Sequence, residues 1–255
     1  MKDKKADTGE RLQVVLARFG IASRRGVVGL IEEGRVQVNG QVIREKGFRV
    51  HAETDQIQVN DDLLPIGSPQ KKAYYIFYKP KGVMTTLQDP HAEKTVADYF
   101  RMVPERLFPV GRLDRDTTGL LFMTNDGELA FRLTHPKFGV QKRYRARVRG
   151  LVTDEEVKRL EAGVELEEGM TAPCKIKIEK QDRKQTVLIV VLHEGKKRQI
   201  RRIFQKIGHG VMELERLNFG PLSLDGMSLG EKRKLTPEEL SAVFKVASLH
   251  LKKEK

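Results

Sequence analysis

Pro109-Val-Gly-Arg-Leu-Asp-Arg-Asp-Thr-Thr-Gly-Leu-Leu-Phe-Met-Thr124 is the stretch on which the reading of this chain turns. Apolar residues on both sides frame a polar loop, and Leu120–Thr124 predicts a strand. The loop carries Asp114 and Asp116, two carboxylates two residues apart. In a turn such residues cap backbone N–H groups; the same pair can hold a divalent cation or move protons. Spacing alone leaves all three open.

Outward from the loop, strand-like runs recur at Ala73–Tyr78, Arg143–Arg149, Cys174–Glu179, Thr186–Leu192 and Met212–Leu217. Helical spacing predicts Thr95–Phe100, Glu128–Leu133, Asp154–Ala162, Lys197–Ile207 and Pro237–Lys245. This mixture predicts an α+β domain over residues 73–245 with a mostly antiparallel mixed sheet, and a basic tail over 246–255. Ahead of it, Pro65, Gly67, Ser68 and Pro69 put a linker within residues 62–72. Gly226-Met-Ser-Leu-Gly230 spells a hydrolase nucleophile elbow, but that elbow needs a preceding strand, a following helix and an Asp then a His downstream, and only His250, in the lysine-rich tail, follows.

Residues 9–61 read as a smaller unit, after a disordered start at 1–8. Leu12, Val15, Leu16 and Phe19 recur at helical spacing and Gly20 stops the helix. Ser23 caps a second helix running to Glu33. Asn39-Gly40 between alternating apolar residues predicts a tight hairpin, and Gln56–Val59 a further strand. Arg24, Arg25 and Arg35 stand on this unit, and residues 1–50 of the chain hold 11 basic and 6 acidic side chains.

The whole chain has 48 Lys+Arg against 35 Asp+Glu, a net charge of +13 over 255 residues. That excess fits a polyanion, either nucleic acid or an anionic membrane. A single cysteine, Cys174, excludes an intrachain disulfide framework and a Cys-cluster zinc site. No His pair stands at i, i+4, no phosphate-binding glycine loop occurs, and no apolar run approaches 18 residues. Met1–Asp7 lacks the apolar core of a signal peptide, so a cytoplasmic location is expected. With no Trp, a platform of stacking aromatics is not expected.

Two basic stripes stand out. In Arg143-Tyr-Arg-Ala-Arg-Val-Arg149, alternation puts Arg143, Arg145, Arg147 and Arg149 on one face and Tyr144, Ala146 and Val148 on the other. Four arginines together need anions, either neighbouring carboxylates or, the reading favoured here, phosphates. Along Glu194–Lys206 and the Ile207 after it, Ile200, Ile203, Phe204 and Ile207 form a helical core face, while Lys196, Lys197, Arg198, Arg201 and Arg202 crowd the helix start and its flanks. Cations at a helix N-terminus are unfavourable without a compensating anion.

The opening loop closely resembles the active-site loop of RsuA/RluB-type pseudouridine synthases, with the pattern G-R-L-D-x-x-T-x-G-L. Four further segments follow in family order: Tyr75–Met84, Thr124–Lys137, Lys142-Arg-Tyr144 and Glu194–His209. The segment Arg11–Gly40, within the 9–61 unit, resembles the small RNA-binding domain named after a small-subunit ribosomal protein. The resemblance implies conversion of a uridine in ribosomal RNA to pseudouridine, needing no cofactor and no metal. It implies Asp114 as the catalytic carboxylate, either as a nucleophile or as base toward a ribose proton. Arg201 would be its basic partner, Tyr144 would contact the flipped base, Ile200 would wall the pocket, and Arg112 would fill the position the base vacates. Asp116 would cap the loop. Arg24, Arg25, Arg35, Arg143, Arg145, Arg147, Lys196, Lys197 and Arg198 are the expected RNA contacts. The match around Leu107–Asp114 points to large-subunit (23S) rather than small-subunit (16S) RNA. A monomer with no protein or membrane partner is expected. A non-catalytic ribosome-assembly factor and a metal-dependent nuclease using Asp114 and Asp116 are the competing readings.

Overall fold

The computed structural model describes residues 9–64 and 71–249. The expected disordered start at 1–8, much of the expected linker (65–70) and most of the basic tail (250–255) lie outside the described residues. Contacts divide the chain into two compact units, Met1–Lys72 and Ala73–Lys255.

In the first unit, Leu12–Arg18 (α1) and Arg24–Glu32 (α2) pack by Leu12, Val15, Leu16, Val27 and Ile31, all essentially buried. The Ser23 hydroxyl accepts from the Gly26 N–H at 3.0 Å, satisfying one of the unpaired donors of the first turn. Asn39 and Gly40 both have positive φ, 51° and 79°, so the turn between Val36–Val38 and Gln41–Val42 twists with its strands. Ile57–Val59 pairs with Val36–Val38 on the other side. Residues 62–64 differ from the linker expectation: Asp62–Leu63 pairs with Ile57–Val59, and Leu64 is buried in this unit's core. A turn at Asn60-Asp61, both with positive φ, folds the chain back.

The second unit is built on one sheet. Its main strands are β1 (Tyr74–Lys79), β2 (Thr118–Thr124), β3 (Lys142–Arg149), β4 (Lys175–Gln181), β5 (Gln185–Leu192), β6 (Val211–Phe219) and β7 (Lys232–Lys234), with two-residue strands Phe108–Pro109 on β2 and Leu222–Ser223 on β6. The order is β4-β5-β3-β6-β2-β1-β7. Every pairing is antiparallel except β6 with β2. The expected α+β class with a mostly antiparallel mixed sheet is borne out. Helices α3 (Gly127–Thr134), α4 (Asp154–Ala162), α5 (Gln199–Lys206) and α6 (Pro237–Leu249) pack on it. The last helix runs beyond the expected end at Lys245, because Val243 and Ala247, four residues apart, both enter the core. Edge strand β7, Lys-Arg-Lys, has no apolar residue to betray it.

Alternation along the strands decides what the site rests on. Ile76, Leu120 and Phe122 enter a core with α3 and α6. Tyr75, Phe77, Leu121 and Met123 enter another with Val96 and Phe100. Ala146, Val148, Leu188 and Val190 pack under α5 through Ile200, Ile203 and Phe204. Among the described residues no helix is long and apolar enough to cross a membrane.

Candidate active site

The loop before β2 is held by its backbone. Leu113 is buried, and its N–H and C=O both bond the Thr85 hydroxyl, at 3.2 and 2.7 Å. The Gly82 N–H donates to the Arg115 carbonyl at 2.8 Å, and the Thr117 N–H to the Asp114 carbonyl at 3.1 Å, closing a tight turn. Beyond it, Gly119 has φ +120°, and a Cβ there would lie 2.4 Å from the backbone N and O of Arg216. Only glycine permits this approach of β2 to β6. The turn leaves Asp114 and Asp116 each about one-third exposed, at 34 % and 38 %.

Helix α5 supplies the counter-charges. Its N-cap, Arg198, is in the left-handed region at φ 51°, ψ 32°. From there Arg198 Nη1 and Nη2 donate to the two Asp116 oxygens at 3.1 and 3.2 Å, and Nη1 lies 3.6 Å from Asp114 Oδ2. Arg201 Nη2 lies 3.2 Å from Asp116 Oδ2 and donates to the Asp116 carbonyl at 3.0 Å; its Nη1 donates to the Val211 carbonyl. Two expectations change here. Arg201 makes its ion pair with Asp116 rather than Asp114, and Asp116, expected as a loop cap, is an ion-pair partner as well as bonded to loop backbone. Burial alone would raise the Asp116 carboxyl, but the Arg198 hydrogen bonds and the charges of Arg201 and Arg198 outweigh it and hold it below the usual range.

Register sets the floor of the site. Tyr144 stands opposite Arg216, Arg216 opposite Gly119, and Gly119 opposite Lys79. These four share one row across β3, β6, β2 and β1, and side chains of a row point to one face. Lys79 and Arg216 were missed in the sequence; their parity among the apolar residues of β1 and β6 was the available signal. Lys79 is fully buried, and burial pushes its pKa down to about 8, against the pull of Asp116 and Asp114. Arg216 is 2 % exposed; its Nε donates to the Leu120 carbonyl at 2.7 Å, while Nη2 is buried without a partner.

The remaining expected contacts separate. The alternation of β3 holds, with Lys142, Ala146 and Val148 buried and Arg143, Arg145 and Arg149 exposed. Carboxylates, however, neutralise half of the arginine face: Arg145 pairs with Glu179 at 3.2 Å, and Arg147 pairs with Glu213 across the β3–β6 ladder. For those two the neighbouring-carboxylate alternative applies. Arg143 and Arg149 have no ion pair among the described residues. Lys196 is also diverted: its Nζ donates to the carbonyls of Gly169 and Met170, both at 2.8 Å. Arg202 holds Glu168 with both arms, which ties the hairpin of Glu165–Leu166 with Gly169–Met170 to α5. Lys197, Arg112, Arg24 and Arg25 are exposed. Arg35 bonds Asn60 and Glu33. Ile200 is 3 % exposed in the core against which Tyr144 packs, so it lines no open surface as placed. The His209 ring is bonded to the Arg149 carbonyl and to Glu156. A concavity lined by Leu166, Glu167, Arg202, Gln205 and Lys206 includes neither aspartate.

Residues 73–206 match the RNA pseudouridylate synthase family, and residues 10–57 match the S4 domain. Ribosomal large subunit pseudouridine synthase B of Bacillus subtilis (strain 168) is 45 % identical over 240 residues, 93 % of this chain and 97 % of that protein. An uncharacterized RNA pseudouridine synthase of Aquifex aeolicus (strain VF5) is 42 % identical over 240 residues, 94 % of this chain and 95 % of that protein. A crystal structure of a pseudouridylate synthase is similar at TM-score 0.66 and 28 % identity, covering 92 % of this chain and 99 % of that one.

Proposed function

This chain belongs to the RNA pseudouridylate synthase family, with an S4 domain ahead of its catalytic unit, and from that premise we propose that it isomerises one uridine of large-subunit (23S) ribosomal RNA to pseudouridine, acting in the cytoplasm as a monomer. The large-subunit substrate rests on the name of the Bacillus relative. In the reaction the N1–C1′ bond breaks, the uracil turns, C5 bonds to C1′, and the C5 proton ends on N1. Atoms and electrons balance within the nucleotide, so no cofactor is consumed.

Asp114 is the catalytic carboxylate. One observation carries this: it sits on a backbone-fixed turn, in a cationic surround, yet among the described residues its carboxylate makes a single loose ion pair, 3.6 Å to Arg198. A carboxylate so placed stays available to the ribose, for attack at carbon or for removal of a proton. Tyr144 faces the base extracted from the RNA, and Arg112 fills the gap left behind. Arg201, fixed through Asp116, supplies the basic field. Arg24, Arg25, Arg143 and Lys197, exposed and unneutralised among the described residues, contact phosphates.

Unmodified ribosomal RNA incubated with the protein in chelator, then mapped for pseudouridine, tests this. Wild type is expected to modify one site in 23S RNA, and Asp114→Asn none while still binding RNA. No product from wild type, or equal product from Asp114→Asn, overturns the assignment.

A further inference from the structure

The loop of Asp114 and Asp116 faces more positive charge than its carboxylates cancel. Lys79, Arg198 and Arg201 all act on the pair, three cations against two anions. Their accessibility is unequal. Lys79 is fully buried and Arg201 is 12 % exposed, whereas the Arg198 side chain is 43 % exposed. Of the three, Arg198 is the one that a ligand arriving from solvent reaches without opening the core. Its fork is already filled, both arms lying on the two oxygens of Asp116. That two-point geometry is what a guanidinium also offers a phosphate.

We propose that Asp116 is an internal stand-in for an RNA backbone phosphate: in the RNA-free protein it holds Arg198, and a phosphate beside the target nucleotide takes Arg198 over when RNA binds. This rests on the reading of the chain as an RNA pseudouridine synthase. The exchange swaps one anion for another at a single guanidinium. Asp116 is not orphaned by it, because Arg201 stays within 3.2 Å of Oδ2 and on the Asp116 carbonyl. It also removes Arg198 from the edge of Asp114, leaving that carboxylate clear for the ribose.

The consequence has a definite sign. A carboxylate that competes with RNA for Arg198 weakens RNA binding, so its removal tightens binding, and the gain passes through Arg198. If Asp116 only staples the loop, its removal weakens binding instead. The probe is in-vitro-transcribed, unmodified 23S ribosomal RNA, with the Kd of the full chain measured by filter binding at several salt concentrations. Asp116→Asn is expected to lower the Kd by roughly three- to fivefold, the upper range for a half-exposed ion pair. Arg198→Ala is expected to raise the Kd and to reduce the slope of log Kd against log salt by about 0.7–0.9, one phosphate contact. In the Arg198→Ala background, adding Asp116→Asn is expected to change the Kd by less than about twofold. The proposal is overturned if Asp116→Asn binds no tighter, or if its gain persists without Arg198, which marks a general charge effect. It is equally overturned if Arg198→Ala leaves Kd and slope unchanged, a result readable even if Asp116→Asn fails to fold. Pseudouridine is mapped on the same RNA. No product from wild type sinks the enzymatic reading, whereas product with an unchanged Asp116→Asn affinity sinks the exchange alone.

Discussion

Replacing Lys79 by Met, and following stability from pH 7 to pH 10.5, probes the buried charge beneath the Asp114 loop. Lys79 is fully buried and donates to the Pro80 carbonyl at 2.9 Å. Burial pushes its pKa down from 10.5 to about 8; Asp116 and Asp114 resist the drop and Arg216 adds to it. The unfolded chain keeps the ordinary value. Below pH 8 both states hold the proton, and the folded protein bears the full cost of the buried charge. Between pH 8 and 10.5 the unfolded chain binds more protons than the folded one, so the free energy of unfolding rises with pH. At about 1.36 kcal/mol per pH unit, the displacement is worth at most roughly 3 kcal/mol. Lys142, also lowered to about 8 by burial, acts with the same sign. Wild type alone therefore does not isolate Lys79, but the difference between wild type and Lys79→Met does, since Lys142 is common to both. In urea unfolding at half-unit pH steps, wild type is expected to gain on Lys79→Met by about 2–3 kcal/mol between pH 8 and 10.5. Below pH 7.5 the difference should be flat. A difference that stays flat across the whole range would mean that Lys79 keeps its ordinary proton affinity, and the account of a desolvated cation under the loop would fail.

Three other outcomes follow from the geometry. Gly119→Ala places a Cβ 2.4 Å from the Arg216 backbone at φ +120°, so it should cost about 3 kcal/mol or more and lower the Tm by roughly 6–12 °C; a loss under about 2 °C would contradict the close β2–β6 approach. At Arg198, φ 51°, Gly should be more stable than Ala by about 1 kcal/mol in urea unfolding, because only Ala carries the left-handed penalty; the reverse order would deny that conformation. Arg143→Ala should reduce the salt slope of RNA binding by about 0.7–0.9, and Arg147→Ala, already neutralised by Glu213, by clearly less. Equal losses would show that the Arg147–Glu213 pair opens on RNA.

The elements were legible where their pattern is local. Alternation in Arg143–Arg149 placed Tyr144 inward, and helical spacing placed Ile200, Ile203 and Phe204 on the core. The Asn39-Gly40 turn followed from the backbone freedom of that dipeptide. Among the strands that escaped were Lys232–Lys234 at the sheet edge, and the small hairpin of Glu165–Leu166 with Gly169–Met170 that Lys196 and Arg202 tie down, all short. Edge strands bury little, so their residue types carry no pattern to read.

The candidate site divides along the same line. The sequence by itself determined that Asp114 stands on a turn before a buried strand, with Tyr144 and the arginines of α5 in the same unit. Periodicity and motif are properties of single segments, and each of these needed only one. The partnerships were decided by tertiary structure alone. Arg201 meets Asp116 rather than Asp114, Arg198 holds Asp116 while no RNA is bound, and carboxylates from β4 and β6 take Arg145 and Arg147. Lys79, Gly119, Arg216 and Tyr144 become one row only when four strands, distant in the chain, are set in register. An ion pair requires charged tips within a few ångströms of each other, and that separation is set by the packing of different elements, which no single stretch of chain encodes.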